Sequence, residues 1–418
     1  MSLVSSRNRP SLGNIKNVGS VHRWYTSVMG FPPGLVRNLI LELKVDNSGW
    51  LLDPFCGTGT TLVEAKSLGI PSVGVDSNPF FVYTSWAKTY WKLDPERILD
   101  LAKCVMEKRK QTCFKNLPME DSWLSVVKRG WLRESVAYEA NKLLEKIKET
   151  TKGDYSTFLT MALVWSVKEW ASNVKFGPEA YKVVRRGRIS VSHFFLKKIL
   201  QIASDLNQVQ GSSVSGQTRV LNGDSREIAS LLKGFPGSIK WVITSPPYPT
   251  EHDYTRITRI ELELLGLVRT SADLRKIKQM MIRSNSKNVY YSDNDYDLIR
   301  GCTKIRQIVD NLSEKARRKQ YGFAKQYPRV IGEYFGGLYR HLRSLGELMP
   351  RGARCAYVLG EQCSYLGCFI PTASIVAHMS RHHDLPFEVT GMTNWRTRRA
   401  TRGTRRKIKE QILFLRRE

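Results

Sequence analysis

Ser245-Pro246-Pro247-Tyr248 is the stretch of this chain whose residue types and spacing offer the most chemistry. It follows Trp241-Val242-Ile243, an apolar run that reads as a buried strand. Two successive prolines donate no backbone hydrogen bonds and cannot extend a strand, so they fix the shape of its exit. The turn then presents acceptors, the Ser245 hydroxyl and the Pro246 carbonyl, beside one aromatic face, Tyr248. A planar ring bearing an exocyclic amine suits such an edge. The amine donates to the oxygens and the ring stacks on the tyrosine.

A second motif lies far upstream. Trp50-Leu51-Leu52-Asp53-Pro54-Phe55-Cys56-Gly57-Thr58-Gly59-Thr60-Thr61 reads as a strand, a Gly-rich turn and the start of a helix. Gly57 and Gly59 let the backbone turn sharply and approach a ligand. The helix from Thr61 to Leu68 stops at Gly69, and the strand Ser72-Val73-Gly74-Val75 ends in Asp76. A carboxylate at the end of the second strand is where such a fold holds ribose hydroxyls. The dinucleotide fingerprint needs a third glycine where this chain has Leu62, which favours a nucleoside ligand without a pyrophosphate.

Asp-Pro-Phe-x-Gly-x-Gly-Thr-Thr followed by Ser-Pro-Pro-Tyr resembles the S-adenosylmethionine-dependent DNA methyltransferases that modify exocyclic amines. Gly30-Phe31-Pro32-Pro33-Gly34-Leu35-Val36 resembles the family's segment that closes over the methionine end of the cofactor, and Asn222-Gly223-Asp224 its acidic motif near the adenine. The resemblance implies an α/β fold: a Rossmann-like, seven-stranded methyltransferase sheet with its last strand reversed and a mostly helical insertion. It implies S-adenosyl-L-methionine as cofactor, contacted by Phe31, Asp53, Phe55, Gly57, Gly59, Thr60, Asp76 and Asp224. Ser245, Pro246, Pro247 and Tyr248 are then the catalytic residues. Ser-Pro-Pro-Tyr is more typical of cytosine N4 enzymes, and Asp-Pro-Pro-Tyr or Asn-Pro-Pro-Tyr of adenine N6 enzymes. The expectation is therefore a cytosine N4 DNA methyltransferase. The alternatives are an adenine N6 enzyme, an RNA amino-methyltransferase and a silent nucleic-acid-binding module.

The chemistry asked of these residues is modest. The methyl donor is a sulfonium, so the enzyme must place the amine in line and at near-attack distance. Hydrogen bonds to Ser245 and the Pro246 carbonyl free the nitrogen lone pair, and the face of Tyr248 lies where positive charge develops. Ser245 is a poor base, so proton loss follows methyl transfer, to water. A base inside a duplex cannot reach such a pocket and must be flipped out. Asp253, just after the motif, reads as the cap of a helix starting near Tyr254, and His252 as a residue of the pocket rim.

Composition agrees with a nucleic-acid partner. The chain has 418 residues with 66 Lys and Arg against 38 Asp and Glu, a net charge of +28. An excess of that size concentrates polyanions. The basic residues also cluster, at Lys182–Arg188, Lys315–Lys319 and Arg396–Lys407. Arg185, Arg186, Arg188, Arg398, Arg399, Arg402 and Arg405 are the candidate DNA contacts. DNA is the expected partner, with RNA the lesser alternative and a cognate restriction endonuclease a further candidate; oligomeric state is not legible. No apolar run is long enough for a bilayer and the N-terminus lacks a secretion signal, so the expected location is the cytoplasm. The seven cysteines show no paired spacing and read as reduced and mostly buried, and no metal site is expected.

Along the chain, residues 1–93 form the first part of the core and residues 94–215 a helical insertion, a candidate DNA-recognition module. Residues 216–418 carry the rest of the core, with the catalytic motif and the basic C-terminal segment. The segment from Gly211 to Gly216 reads as a flexible exit linker. Strands are expected at Arg219–Leu221, Trp241–Ile243, Cys355–Gly360, Phe387–Thr390 and Ile412–Leu415, the last two as an antiparallel pair.

Overall fold

A computed structural model of the chain describes residues 19–27, 30–110, 119, 121–176, 180–185, 187–211, 215–235, 237–250, 252–319, 322–382, 384–399 and 406–418. Nine strands are found among them: β1 (Trp50–Asp53), β2 (Ser72–Asp76), β3 (Val174–Phe176), β4 (Ala180–Lys182), β5 (Thr218–Asn222), β6 (Ile239–Thr244), β7 (Arg354–Gly360), β8 (Phe387–Arg399) and β9 (Lys407–Arg417). Seven form one sheet in the order β5-β2-β1-β6-β7-β9-β8, and β3 and β4 pair separately. The five strands from β5 to β7 are mutually parallel, and β9 runs antiparallel to both β7 and β8. The chain leaves β1 for β2 on one side and returns to β6 on the other. The crevice at the carboxyl ends of β1 and β6 is therefore a topological switch point, where α/β sheets bind ligands.

Alternation along the strands builds a core on each face. Leu52, Val242 and Tyr357 pack under the helices Thr303–Arg317, Tyr327–Leu348 and Thr372–His382. Leu51, Ile243 and Ala356 pack with Leu35, Val36 and Leu39 of the helix Pro33–Glu42. The result is the Rossmann-like three-layer sheet expected from the sequence. No glycine occupies the third position of the Gly-rich turn. Instead Gly74 of β2 takes the close approach, since a Cβ there would lie 2.5 Å from Leu62 and 2.9 Å from Cys56.

The stretch from Pro95 to Gln210 is mostly helical, with the hairpin β3–β4 within it. Its core is continuous with that of the helices beside the sheet: Phe158, Leu159 and Phe195 share one cluster with Val63, Phe80 and Ala87. The return to the sheet is anchored at Gly216. A Cβ there would sit 2.3 Å from the Ile70 carbonyl oxygen. Its amide donates to Lys66 O at 2.9 Å and its carbonyl accepts from Lys66 Nζ at 2.9 Å. The far end of the expected flexible linker is thus fixed, because a side chain-free backbone docks on the loop before β2. Residues 212–214 lie outside the described residues. No helix among the described residues is long and apolar enough to cross a membrane, and no group of His, Cys, Asp or Glu there could hold a metal ion.

Candidate active site

The Gly-rich turn and the Pro-Pro turn open onto one cavity of about 360 Å³ at the switch point. Gly57 and Gly59 have φ of 50° and 82°, the left-handed region that suits glycine. Gly59 also faces Ser85, whose Oγ would be 2.9 Å from a Cβ placed there. Ser85 Oγ in turn donates to Gly57 O at 2.7 Å, which holds the turn down. The helix Thr60–Ser67 begins directly after it, with Thr60 on the cavity wall.

Asp76, at the end of β2, accepts from Gly57 N at 2.9 Å and from Asn78 N at 2.8 Å. Burial nonetheless pushes its carboxyl up to about 7. Asp53, at the end of β1, is 1% exposed and accepts from Thr244 Oγ1 at 2.6 Å, which ties β1 to β6. Burial raises it to about 6. Phe31 and Phe55 line the same cavity. Behind Phe55 stands His341, with ring centres 5.0 Å apart. A carbonyl can only accept, so His341 Nδ1 donates to Ser225 O at 2.8 Å and Nε2 accepts from Tyr357 Oη at 2.8 Å. Burial lowers this imidazole to about 4, which keeps it neutral.

The other wall is the Pro-Pro turn. Ser245 Oγ donates to Val358 O at 3.3 Å, with Tyr248 Oη 3.4 Å away. With its proton directed at a carbonyl, the hydroxyl serves other groups, Tyr248 Oη among them, as an acceptor. Tyr248 N, the first amide after the prolines, donates to Tyr254 Oη at 3.1 Å. The Tyr248 ring lies against Gly360 at the end of β7, where a Cβ would be 2.7 Å from the ring. Burial is the first cause holding the Tyr248 phenol well above its ordinary range, so it is protonated. Asp253 caps the helix Tyr254–Ile257 and pairs with Lys278 at 2.7 Å; His252 lines the cavity.

Two groups expected at functional positions are held elsewhere. Asp224 does not line the cavity. It caps the short helix Ser225–Glu227 and grips Arg226, with Nη2–Oδ2 at 2.6 Å, while Gly223 and Ser225 on either side do line it. Arg185 donates to Ser172 O at 2.6 Å and Glu169 O at 3.2 Å, so it braces the chain beside β4. Arg398 lines the cavity and reaches Glu410 at 3.1 Å. Arg188 and Arg399 are exposed, whereas Arg186, Arg402 and Arg405 lie outside the described residues. The sequence reading missed Glu410, Trp395, Gly360, Gln362 and Tyr254, all placed at this site by the fold. The signal that could have pointed to Tyr254 and Gln362 is their closeness in sequence to a strand end.

A family described as DNA methylase, of the N6/N4 methyltransferase type, matches residues 4–87, which span Phe31, the Gly-rich turn and Asp76. The type II methyltransferase M.BsoBI of Geobacillus stearothermophilus is 27% identical, over 84% of this chain and 76% of its own length. The type II methyltransferase M.AvaI of a Nostoc species is 22% identical, over 86% of this chain and 78% of its own. These matches support the amino DNA methyltransferase family for this chain. The rRNA methyltransferase aviRa of Streptomyces viridochromogenes is 10% identical, with a TM-score of 0.35 over 96% of this chain and 92% of that one, too slight a likeness to bear on the site.

By these matches S-adenosylmethionine is the expected cofactor. The cavity fits that ligand on its own chemistry. It is nucleoside-sized and pairs a strand-end carboxylate with a turn built on left-handed glycines.

Proposed function

We propose that this protein transfers a methyl group from S-adenosylmethionine to the N4 amine of a cytosine flipped out of duplex DNA. The observation that carries the proposal is Ser245 Oγ, on the cavity wall, with its proton engaged by Val358 O, so that toward an amine it acts as an acceptor. Bound in the cavity, the cofactor supplies a methyl already activated on a sulfonium. Asp76 accepts from its ribose hydroxyls, and Phe31 and Phe55 enclose it. The protein's part in the transfer is orientation and charge. Ser245 Oγ and the Pro246 carbonyl accept the two amine hydrogens, which draws the nitrogen toward tetrahedral geometry. Tyr248 carries the base ring and faces the positive charge as it develops. Its protonated phenol takes up no proton, and serine is a weak base, so the amine proton leaves to water.

Serine, rather than an acidic or amide residue, ahead of Pro-Pro-Tyr favours cytosine over adenine, as the family resemblance implies. The two curated relatives are type II methyltransferases. By that likeness we assign the protein to a restriction–modification system, where it protects sites that a partner endonuclease would cut. The exposed Arg188 and Arg399 are proposed phosphate contacts. Domain roles follow the same reading: residues 1–93 and 216–418 build the catalytic core, and the helices of 94–215 brace it and extend its DNA-facing surface.

The test is Ser245→Ala. Cofactor affinity is expected to stay within about twofold of wild type while single-turnover transfer falls by roughly a hundredfold. Parallel loss of cofactor binding would make Ser245 a structural residue and remove the proposal's basis.

A further inference from the structure

Gln362 lies two residues beyond β7, on the wall of the active-site cavity, and is 2% exposed. Its backbone is fixed by exchange with Ile370: Gln362 N donates to Ile370 O at 3.1 Å, and Ile370 N donates to Gln362 O at 2.8 Å. Its side-chain Nε2 is buried and has no hydrogen-bond partner among the described residues. A buried donor left that way carries its full desolvation penalty, which folding alone gives no reason to retain. Its position is telling. A Cβ built on Gly360 would be 3.1 Å from Gln362 Nε2 and 2.7 Å from the ring of Tyr248. The bare backbone of Gly360 therefore lets the amide and the tyrosine ring converge on one spot.

We propose that Gln362 is a specificity-determining residue that reads the ring nitrogen next to the target amine. This rests on the functional reading above, in which the base ring lies on Tyr248. In cytosine the atom beside the amine-bearing carbon is N3, an acceptor, and in adenine it is N1, also an acceptor. The Nε2 amide donates to either. On the Watson–Crick edge, thymine N3 and guanine N1 each carry a hydrogen, so a base presenting either to Gln362 would set two donors face to face and be rejected. Gln362 thereby selects a base whose Watson–Crick ring nitrogen beside the amine is unprotonated, and Ser245 with Pro246 selects the amine itself.

The test uses the full chain with Gln362→Met, which keeps volume and removes both polar atoms, and Gln362→Glu. Transfer from tritiated S-adenosylmethionine to unmethylated plasmid DNA is followed in single turnover from pH 5.5 to 8.5 at saturating cofactor, with cofactor affinity measured by calorimetry. Both variants are expected to bind the cofactor within about twofold of wild type. Gln362→Met should slow transfer roughly ten- to a hundredfold. Gln362→Glu should be as slow at pH 8.5, where the carboxylate only accepts. Its rate relative to wild type should climb at least about fivefold by pH 5.5, as the protonated carboxyl regains a donor. The proposal is overturned by a Met variant within about threefold of wild type, by a Glu-to-wild-type ratio flat in pH, or by matching losses of cofactor binding. The wild-type product scores the functional reading separately. N6-methyladenine would change the base while the same ratios still decide the role of Gln362, and a product without a methylated amine would remove both.

Discussion

At the scale of residues, two of the cavity's carboxylates set a pH dependence. Asp76 and Asp53 rise from an ordinary 3.8 to about 7 and about 6 because burial opposes their charge. The folded protein then holds protons that the unfolded chain releases. Their stabilising contribution is complete below about pH 4 and is lost as pH rises through 6 and 7. Under the proposed role of Asp76, cofactor binding runs the other way, since ribose hydroxyls would donate best to its ionised form. Affinity for S-adenosylmethionine should tighten roughly tenfold between pH 5.5 and 8.5, and Asp76→Asn should flatten the profile; calorimetry at the two pH values decides. Gly360 gives a second prediction. Gly360→Ala brings a Cβ to within 2.7 Å of the Tyr248 ring. Transfer should fall more than about tenfold with cofactor affinity unchanged, and equal loss of both would break the link to Tyr248. Ser245 to Tyr248 were legible because they are consecutive and chemically unusual. Their partners were not: Val358, which takes the Ser245 proton, is 113 residues away, and Gly360 carries no side chain to draw notice.

At the scale of elements, the long helix Tyr327–Leu348 supports the site from behind. Gly332 and Gly336, one turn apart, leave a groove for the segment at Asp295 and Tyr296. A Cβ on Gly336 would lie 2.2 Å from Asp295 O, and one on Gly332 2.7 Å from the Tyr296 ring. The seated segment is locked by ions, with Arg226 at 2.7 Å and Arg340 at 3.0 Å from Asp295. Alanine gains about 1 kcal/mol of helix propensity over glycine. A backbone clash of this depth outweighs it, so Gly336→Ala should destabilise the fold by about 1–3 kcal/mol in urea unfolding. An unchanged or higher midpoint would contradict that packing. The β8–β9 hairpin shows where the sequence reading stopped short. It found strands at Phe387–Thr390 and Ile412–Leu415, but the strands span 13 and 11 residues. Alternation puts Arg396 and Arg398 on one face, where both pair with Glu410 and line the cavity, while Arg399 is exposed. A run of arginines read as charge alone hides that division, because the period-two signal needs an apolar face to be seen.

At the scale of the whole molecule, the net charge of +28 predicts strongly salt-dependent DNA binding. Neutralising Arg399, Arg402, Arg405 and Lys407 together should shrink the slope of log K against log salt by up to roughly 3–4, about 0.9 for each phosphate contact removed. An unchanged slope would put the duplex on another face. The order of strands and helices was readable from motif spacing and apolar runs. The union of the helices between β2 and β5 with the core beside the sheet was not, since sequence periodicity shows that a face is apolar and not what covers it. The central claim, methyl transfer to a cytosine amine held at Ser245, is tested most directly by one measurement. Purified protein is incubated with labelled S-adenosylmethionine and unmethylated DNA, and the hydrolysed nucleosides are identified by mass spectrometry. Label in N4-methylcytosine is the predicted result. Label in N6-methyladenine, or in no methylated amine despite measurable cofactor binding, would contradict it.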